Sequence, residues 1–141
     1  MEISFRIIPS QDILIIIPLL QKLGGNSVSE TLLKERTLEM AKQNYECVGI
    51  YDSEKLMGVC GMWFQTRHYA GRSLEVDHVI IDEAHRNKGI GDLLMNYVYD
   101  YARKKDCKWV ELNTYVDNYP SHKFYYNQGF VAKGYHFVKE L

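Results

Sequence analysis

The stretch that most constrains this chain is a seam. Residues 73–81, SLEVDHVII, form an apolar, β-branched run, and residues 85–91, HRNKGIG, are basic and broken by two glycines. From Gly89 onward Ile90, Leu93, Leu94, Tyr97, Val98, Tyr101 and Ala102 recur at the i, i+3, i+4, i+7 spacing of an amphipathic helix, and Arg103, Lys104 and Lys105 suit its negative end. A strand turning through glycines straight into a helix leaves the first-turn amides without intrahelical partners, so an anion can approach the backbone. Arg86 and Lys88 add positive charge. Two familiar phosphate motifs fail here. The dinucleotide pattern needs glycine at 94, where Leu94 stands, and the P-loop needs Gly-Lys followed by a hydroxyl residue, where Gly91, Asp92 and Leu93 stand. By itself the turn fits either an anion site or a plain tight turn with solvated cations.

The flanking pattern predicts a sheet covered by helices. SFRIIP reads as a short first strand ending at Pro9, with Ser10 and Asp12 as capping residues for a helix over Ile13 to Leu23, stopped at Gly24-Gly25 with Pro18 tolerated near its first turn. Ser27 and Glu30 make a capping-box pattern before a second helix carrying Leu32, Leu33, Arg36, Met40 and Ala41. YECVGIYD and KLMGVCGMWFQTRH flank Asp52-Ser53-Glu54 and read as an antiparallel hairpin, with 73–81 as the third strand. WVELNTYV reads as a strand, SHKFYYNQ as a short helix stopped by Gly129, and FVAKGYHFVKEL as one or two closing strands.

Size and charge bound the function. A chain of 141 residues is long enough for one domain with its own core, and a formal charge of −1 argues against nucleic acid or an anionic membrane as the main partner. Cys47, Cys60 and Cys107 are far apart and lack metal-ligand spacing, so they read as reduced thiols, and no metal is expected. ILIIIPLL, the longest apolar run, is too short to span a bilayer and has no basic segment before it, which predicts a cytoplasmic location.

Two motifs in this order resemble the GCN5-related N-acetyltransferase (GNAT) superfamily. Arg86-Asn87-Lys88-Gly89-Ile90-Gly91 matches its acetyl-CoA pyrophosphate loop, [RQ]-x-x-G-x-[GA], and Asn118 through Phe130 resembles N-x-x-A-x-x-F-Y-x-x-x-G-F, with Ser121 in place of alanine. The segment from Gly58 onward looks most like the aminoalkylphosphonate acetyltransferases and their relatives. The resemblance implies a single α+β, three-layer domain over 1–141. It would have a mixed, mostly antiparallel sheet of six or seven strands and about four helices. It also implies acetyl-CoA as cosubstrate and direct acetyl transfer to a primary amine of a small molecule. A non-catalytic acyl-CoA-binding module, or an acetyltransferase of protein N-termini or lysines, stays open.

The resemblance also assigns residues. The cosubstrate would lie against Arg86, Asn87, Lys88, Gly89, Ile90 and Gly91 and along the backbone of Val79, Ile80 and Ile81, with the Val79 amide on the acetyl carbonyl and Asn118 on the pantetheine arm. Tyr125 takes the place of the tyrosine that protonates the departing thiolate, which a phenol suits. Glu75 and Asp77 are the candidate bases. Strand alternation puts them on one side, with Val76 and His78 on the other, and partial burial would raise a carboxyl there toward a base's working range. His78 reads as a hydrogen-bonded sheet residue. Trp63, Phe64, His68, Tyr69, Tyr135 and His136 could wall an acceptor pocket, though such aromatics commonly pack cores and hairpins. The apolar closing strands suggest a homodimer.

Overall fold

Two tight turns fold the middle of the chain into a meander. Ser53, at φ 54°, closes the hairpin between β2 (Tyr45–Asp52) and β3 (Lys55–Arg67), and Gly71, at φ 78°, opens β4 (Gly71–Ile81). Left-handed backbone costs glycine nothing, which explains Gly71. In the computed structural model, which describes residues 1–24 and 27–141, β1 (Ile3–Ile7) precedes a 3-10 helix (Ser10–Ile16), α1 (Ile17–Gly24) and α2 (Glu30–Ala41). After β4 come a 3-10 turn (Glu83–His85), α3 (Ile90–Lys104), β5 (Trp109–Leu112) and α4 (Tyr119–Asn127). The strands form one sheet in the order β1-β2-β3-β4-β5, with β1–β2, β2–β3 and β3–β4 antiparallel. The chain divides into two compact units, residues 1–111 and 112–141.

Within the first unit each face of the sheet has its own cover. Tyr45, Cys47, Val59 and Ile80 pack with Ile8, Ile13, Ile16 and Leu19 from the segment around the 3-10 helix and α1, and Met40 and Ala41 of α2 join them. On the other face α3 lays its apolar stripe of Ile90, Leu94, Met95, Val98 and Ala102 inward. Tyr97 of α3 meets Phe5 of β1 with ring centroids 5.5 Å apart, and Tyr101 meets Phe64 of β3 at 6.3 Å. Val48, Met62 and Leu74 are fully buried. Each such side chain contributes about 2 kcal/mol through removal from water. Among the described residues no helix is long and apolar enough to cross a membrane.

The structure corrects several expectations. The sheet has five strands, not six or seven: β5 stops at Leu112 instead of 116, and residues 130–141 carry no strand. FVAKGYHFVKEL has strand propensity, but a strand exists only where a neighbour supplies a ladder. Pro18 cannot donate to an α-helical bond, so the apolar run divides at Ile17 into a 3-10 helix and a short α-helix with Pro18 in its first turn. The residue before the 3-10 helix is Pro9, with no side-chain cap, so Ser10 and Asp12 do not cap it. Gly25, half of the expected stop, lies outside the described residues. Ser29, not Ser27, caps α2, its hydroxyl accepting the Leu32 amide at 3.2 Å, because the helix begins at Glu30. Ser29→Ala should therefore cost about 1 kcal/mol in urea unfolding while Ser27→Ala leaves the midpoint unchanged. The reverse order would restore the expected cap.

Candidate functional site

The basic turn is fastened to the sheet at several points before it releases into α3. The Asp82 amide donates to the Met57 carbonyl at 2.8 Å, and the Asp82 carboxylate accepts the Ala84 amide at 3.4 Å. His85 Nε2 lies 3.3 Å from the Asp52 carboxylate, which the Glu2 amide and then His85 hold below the usual carboxylate range. Arg86 Nε donates to the Ile81 carbonyl at 3.1 Å, folding the guanidinium back over the end of β4. The backbone then passes through Asn87 at φ 61° and Gly89 at φ 75°, the latter being the N-cap of α3.

That geometry fits the pyrophosphate of a CoA thioester. The first helical bond runs from the Leu93 amide to the Gly89 carbonyl at 3.4 Å, so the Ile90 and Gly91 amides precede it without an intrahelical acceptor, at the positive end of a 15-residue helix. A Cβ built on Gly89 would meet nothing within 4 Å, so backbone and open space adjoin at the helix mouth. The Lys88 side chain is exposed beside it, as is that of Arg86. An anion there would find amides, dipole and two cations together.

The candidate acids lie on β4, in the same unit. Tyr45, Trp63 and Glu75 stand side by side through the register of β2, β3 and β4. Glu75 accepts Gln65 Nε2 at 3.1 Å and, with Gln43, Asn44, Trp63, Phe64 and Gln65, lines a cavity of about 480 Å³. Asp77 accepts Trp63 Nε1 at 3.0 Å. The expectation that His78 faces away from the two acids fails. Met62 pairs with Val76 and Cys60 with Val79, so Asp77 and His78 on β4 together answer the single Gly61 on β3. That bulge interrupts the alternation and brings His78 to the acids' side, where its Nε2 meets the Tyr45 hydroxyl at 2.6 Å. His78 is thus a hydrogen-bonded sheet residue, but on the opposite face from the one simple alternation gives.

The remaining residues sort by position. Val79, Ile80 and Ile81 end β4, and Ile80 belongs to the core cluster. The sheet's outer strand β5 has four residues against eleven in β4 and joins near its start, where the Lys108 amide reaches the Arg72 carbonyl at 2.7 Å, so it cannot flank all of β4. His68 and Tyr69 stack edge to face at 5.3 Å in the turn after β3, and Tyr69 meets Trp109. They are hairpin packing, not cavity walls. Asn118, Tyr125, Tyr135 and His136 belong to the unit 112–141. There Asn118 caps α4 through the Ser121 amide at 3.3 Å, and the Tyr125 ring packs against Phe124 and Phe130 at 5.1 and 5.5 Å. Cys47 and Cys60 are buried, and burial pushes the Cys47 thiol up to about 12, so it does not act as a thiolate nucleophile.

Residues 17–130 match the family model described as Acetyltransferase (GNAT) family. The chain belongs to that family. Its activity is acetyl-CoA-dependent acyl transfer, with acetyl-CoA as cosubstrate. The uncharacterised N-acetyltransferase YhdJ of Bacillus subtilis (strain 168) is 26% identical over 125 residues, 88% of each chain. A possible acetyltransferase from Clostridium difficile 630 superposes with a TM-score of 0.85 over 100% of this chain and 98% of that one, at 15% identity. The aminoglycoside N-acetyltransferase AAC(6')-Iy in complex with CoA gives 0.84 over 99% and 95%, at 12%. These two show the GNAT fold.

Tyr45 and Gly61 escaped sequence reasoning because nothing near them in sequence marks them. Only the ladder brings both to His78. Burial lowers the His78 pKa, with the Asp77 carboxylate opposing, so the ring stays neutral when folded. The unfolded chain then binds more protons below about pH 6.5, and stability contributed by the neutral ring is lost as pH falls below that value. The melting temperature should drop on acidification from about pH 7.5 to 5.5, and the drop should shrink in His78→Asn. An equal drop in both proteins would remove His78 as its source.

Proposed function

We propose that this acetyltransferase moves the acetyl group directly to the primary amine of a small molecule. The observation that carries the proposal is the fastened turn at 86–91, with a left-handed glycine and unbonded helix amides at the mouth of α3, in a chain of this family. The open cavity beside Glu75 supports a small acceptor, because its volume and its amide, indole and carboxylate lining suit a compact amine.

Bound acetyl-CoA supplies an acyl thioester open to attack by an amine. Arg86, Lys88 and the amides of Gly89, Ile90 and Gly91 hold the diphosphate, with Asn87 shaping the turn. The backbone of Val79, Ile80 and Ile81 aligns the arm, the Val79 N–H polarises the acetyl carbonyl, and Asn118 donates to the pantetheine through its amide nitrogen. Glu75 takes the proton the ammonium must lose before its nitrogen bonds the carbonyl carbon, with Asp77 as the other candidate base. Tyr125, assigned by its place in the second motif, gives its phenolic proton to the sulfur as the C–S bond breaks. The pattern of FVAKGYHFV supports a second copy as partner, and light scattering that finds only monomer removes that part.

Three measurements test the reading. Purified protein given acetyl-CoA and a panel of amines, polyamines, aminophosphonates and peptides should release free thiol and acetylated small amine. Acetylation of peptides alone would overturn the small-molecule acceptor. Gly89→Val should weaken CoA binding at least 10-fold in calorimetry, since valine is strained at positive φ and crowds the approaching diphosphate. Tyr125→Phe should keep acetyl-CoA affinity yet lose on the order of 10²-fold in kcat. Turnover within a few-fold of the parent would end the acid role.

A further inference from the structure

One buried polar contact in the first unit spans three strands. His78 of β4 reaches across Gly61 of β3 to the hydroxyl of Tyr45 on β2, at 2.6 Å, with ring centroids 6.0 Å apart. The ring lies directly on Gly61. A Cβ built there would stand 2.6 Å from His78 Cδ2 and closer still to Nε2, so any side chain at 61 evicts the imidazole. His78 is 8% exposed and Tyr45 4%, and among the described residues His78 Nδ1 has no hydrogen-bond partner. The Tyr45 hydroxyl is therefore the one polar group that fixes the ring's orientation.

What the ring holds is the bulge. Val76 pairs with Met62 and Val79 with Cys60, so the strand changes phase between them. Without the extra residue, Val79 would stay on the face of Glu75 and Ile80 would turn away from it. With it, Ile80 enters the core cluster beside Tyr45 and Val59. Backbone N–H groups alternate with the same period as side chains, so the phase change also reverses which amides beyond Asp77 point toward β3 and which point outward. The Asp77 carboxylate, on the bulge itself, is aimed by the same step at the Trp63 indole.

We propose that Tyr45, His78 and Gly61 form a positioning set for acetyl transfer: the pinned ring locks the β4 bulge and so sets the direction of the Val79 amide and the Asp77 carboxylate. This rests on the reading in which the Val79 amide receives the acetyl carbonyl. The set touches neither reacting atom and acts only through the backbone between residues 76 and 80. Sub-ångström drift there misaligns the carbonyl while leaving the diphosphate site at 86–91 intact.

The test uses Tyr45→Phe, which keeps the ring and deletes its hydroxyl, and Gly61→Ala, which displaces the imidazole sterically. Amide hydrogen exchange over 76–80 should quicken on the order of 10-fold in Tyr45→Phe, with 46–50 of β2 unchanged. At temperatures well below melting, kcat per folded molecule should fall on the order of 10-fold while the dissociation constant for CoA stays within about twofold. A merely structural contact predicts a lower melting temperature with kcat per folded molecule preserved, and that result overturns the proposal. So does unchanged exchange in Tyr45→Phe. If Gly61→Ala does not fold, Tyr45→Phe decides alone. A parent protein that binds CoA but acetylates nothing overturns the transfer reading, and the exchange measurement then decides the pin separately.

Discussion

The antiparallel ladder between β3 and β4, with its one-residue slip, is the constraint on which the rest of the first unit depends. It is the longest pairing in the sheet, from Gly58–Ile81 to Arg67–Gly71. Its phase decides which side chains face α1 and α2 and which face α3. A regular ladder would put Val79 where Ile80 now packs. The slip is possible because Gly61 has no side chain, and it is held because His78 occupies the space so created. A core choice and a functional geometry thus come from the same residue.

The end of β4 passes this order on to the basic turn. Ile81 accepts Arg86, Asp82 reaches back to Met57, and His85 meets Asp52 from the β2–β3 turn, so the turn is tied to three strand ends before α3 starts. The helix itself is anchored along its length by Leu94, Met95 and Val98 and at its far end by the Tyr101 hydroxyl on Glu46, with Lys105 beside the same carboxylate at 3.5 Å. A helix mouth held this way presents its amides in a fixed direction, and fixed donors bind an anion without first paying to be ordered.

The polar groups on the α1/α2 face are few and paired by type. Trp63 serves Asp77, Gln65 serves Glu75 and Tyr45 serves His78. Each pair crosses from β4 to a neighbouring strand, so the acids are oriented by strand pairing rather than by their own element. Cys47, buried among them, has its thiol pushed up by loss of solvent. The acid–base chemistry of this face rests on oxygen and imidazole groups.

Much of this was legible in the sequence because it is local. The β2–β3 hairpin, the helix beginning at Ile90 and the glycine turn before it depend on neighbours two to seven residues apart, and the two motifs of the GNAT family are contiguous runs. The helix cap at Ser29, the break at Ile17 and the missing closing strands were misread where two local signals competed or where propensity lacked a ladder partner. The side on which His78 lies could not be read at all. Strand alternation is a local rule, and a bulge breaks it only through a glycine on another strand, 17 residues away, and a tyrosine on a third. The sequence by itself determined the elements, the family and the anion-binding turn, because each is written in short-range spacing. Only the tertiary structure decided the phase of β4 and the partners of Glu75, Asp77 and His78, because strand register is fixed by contacts between residues that the chain order keeps apart.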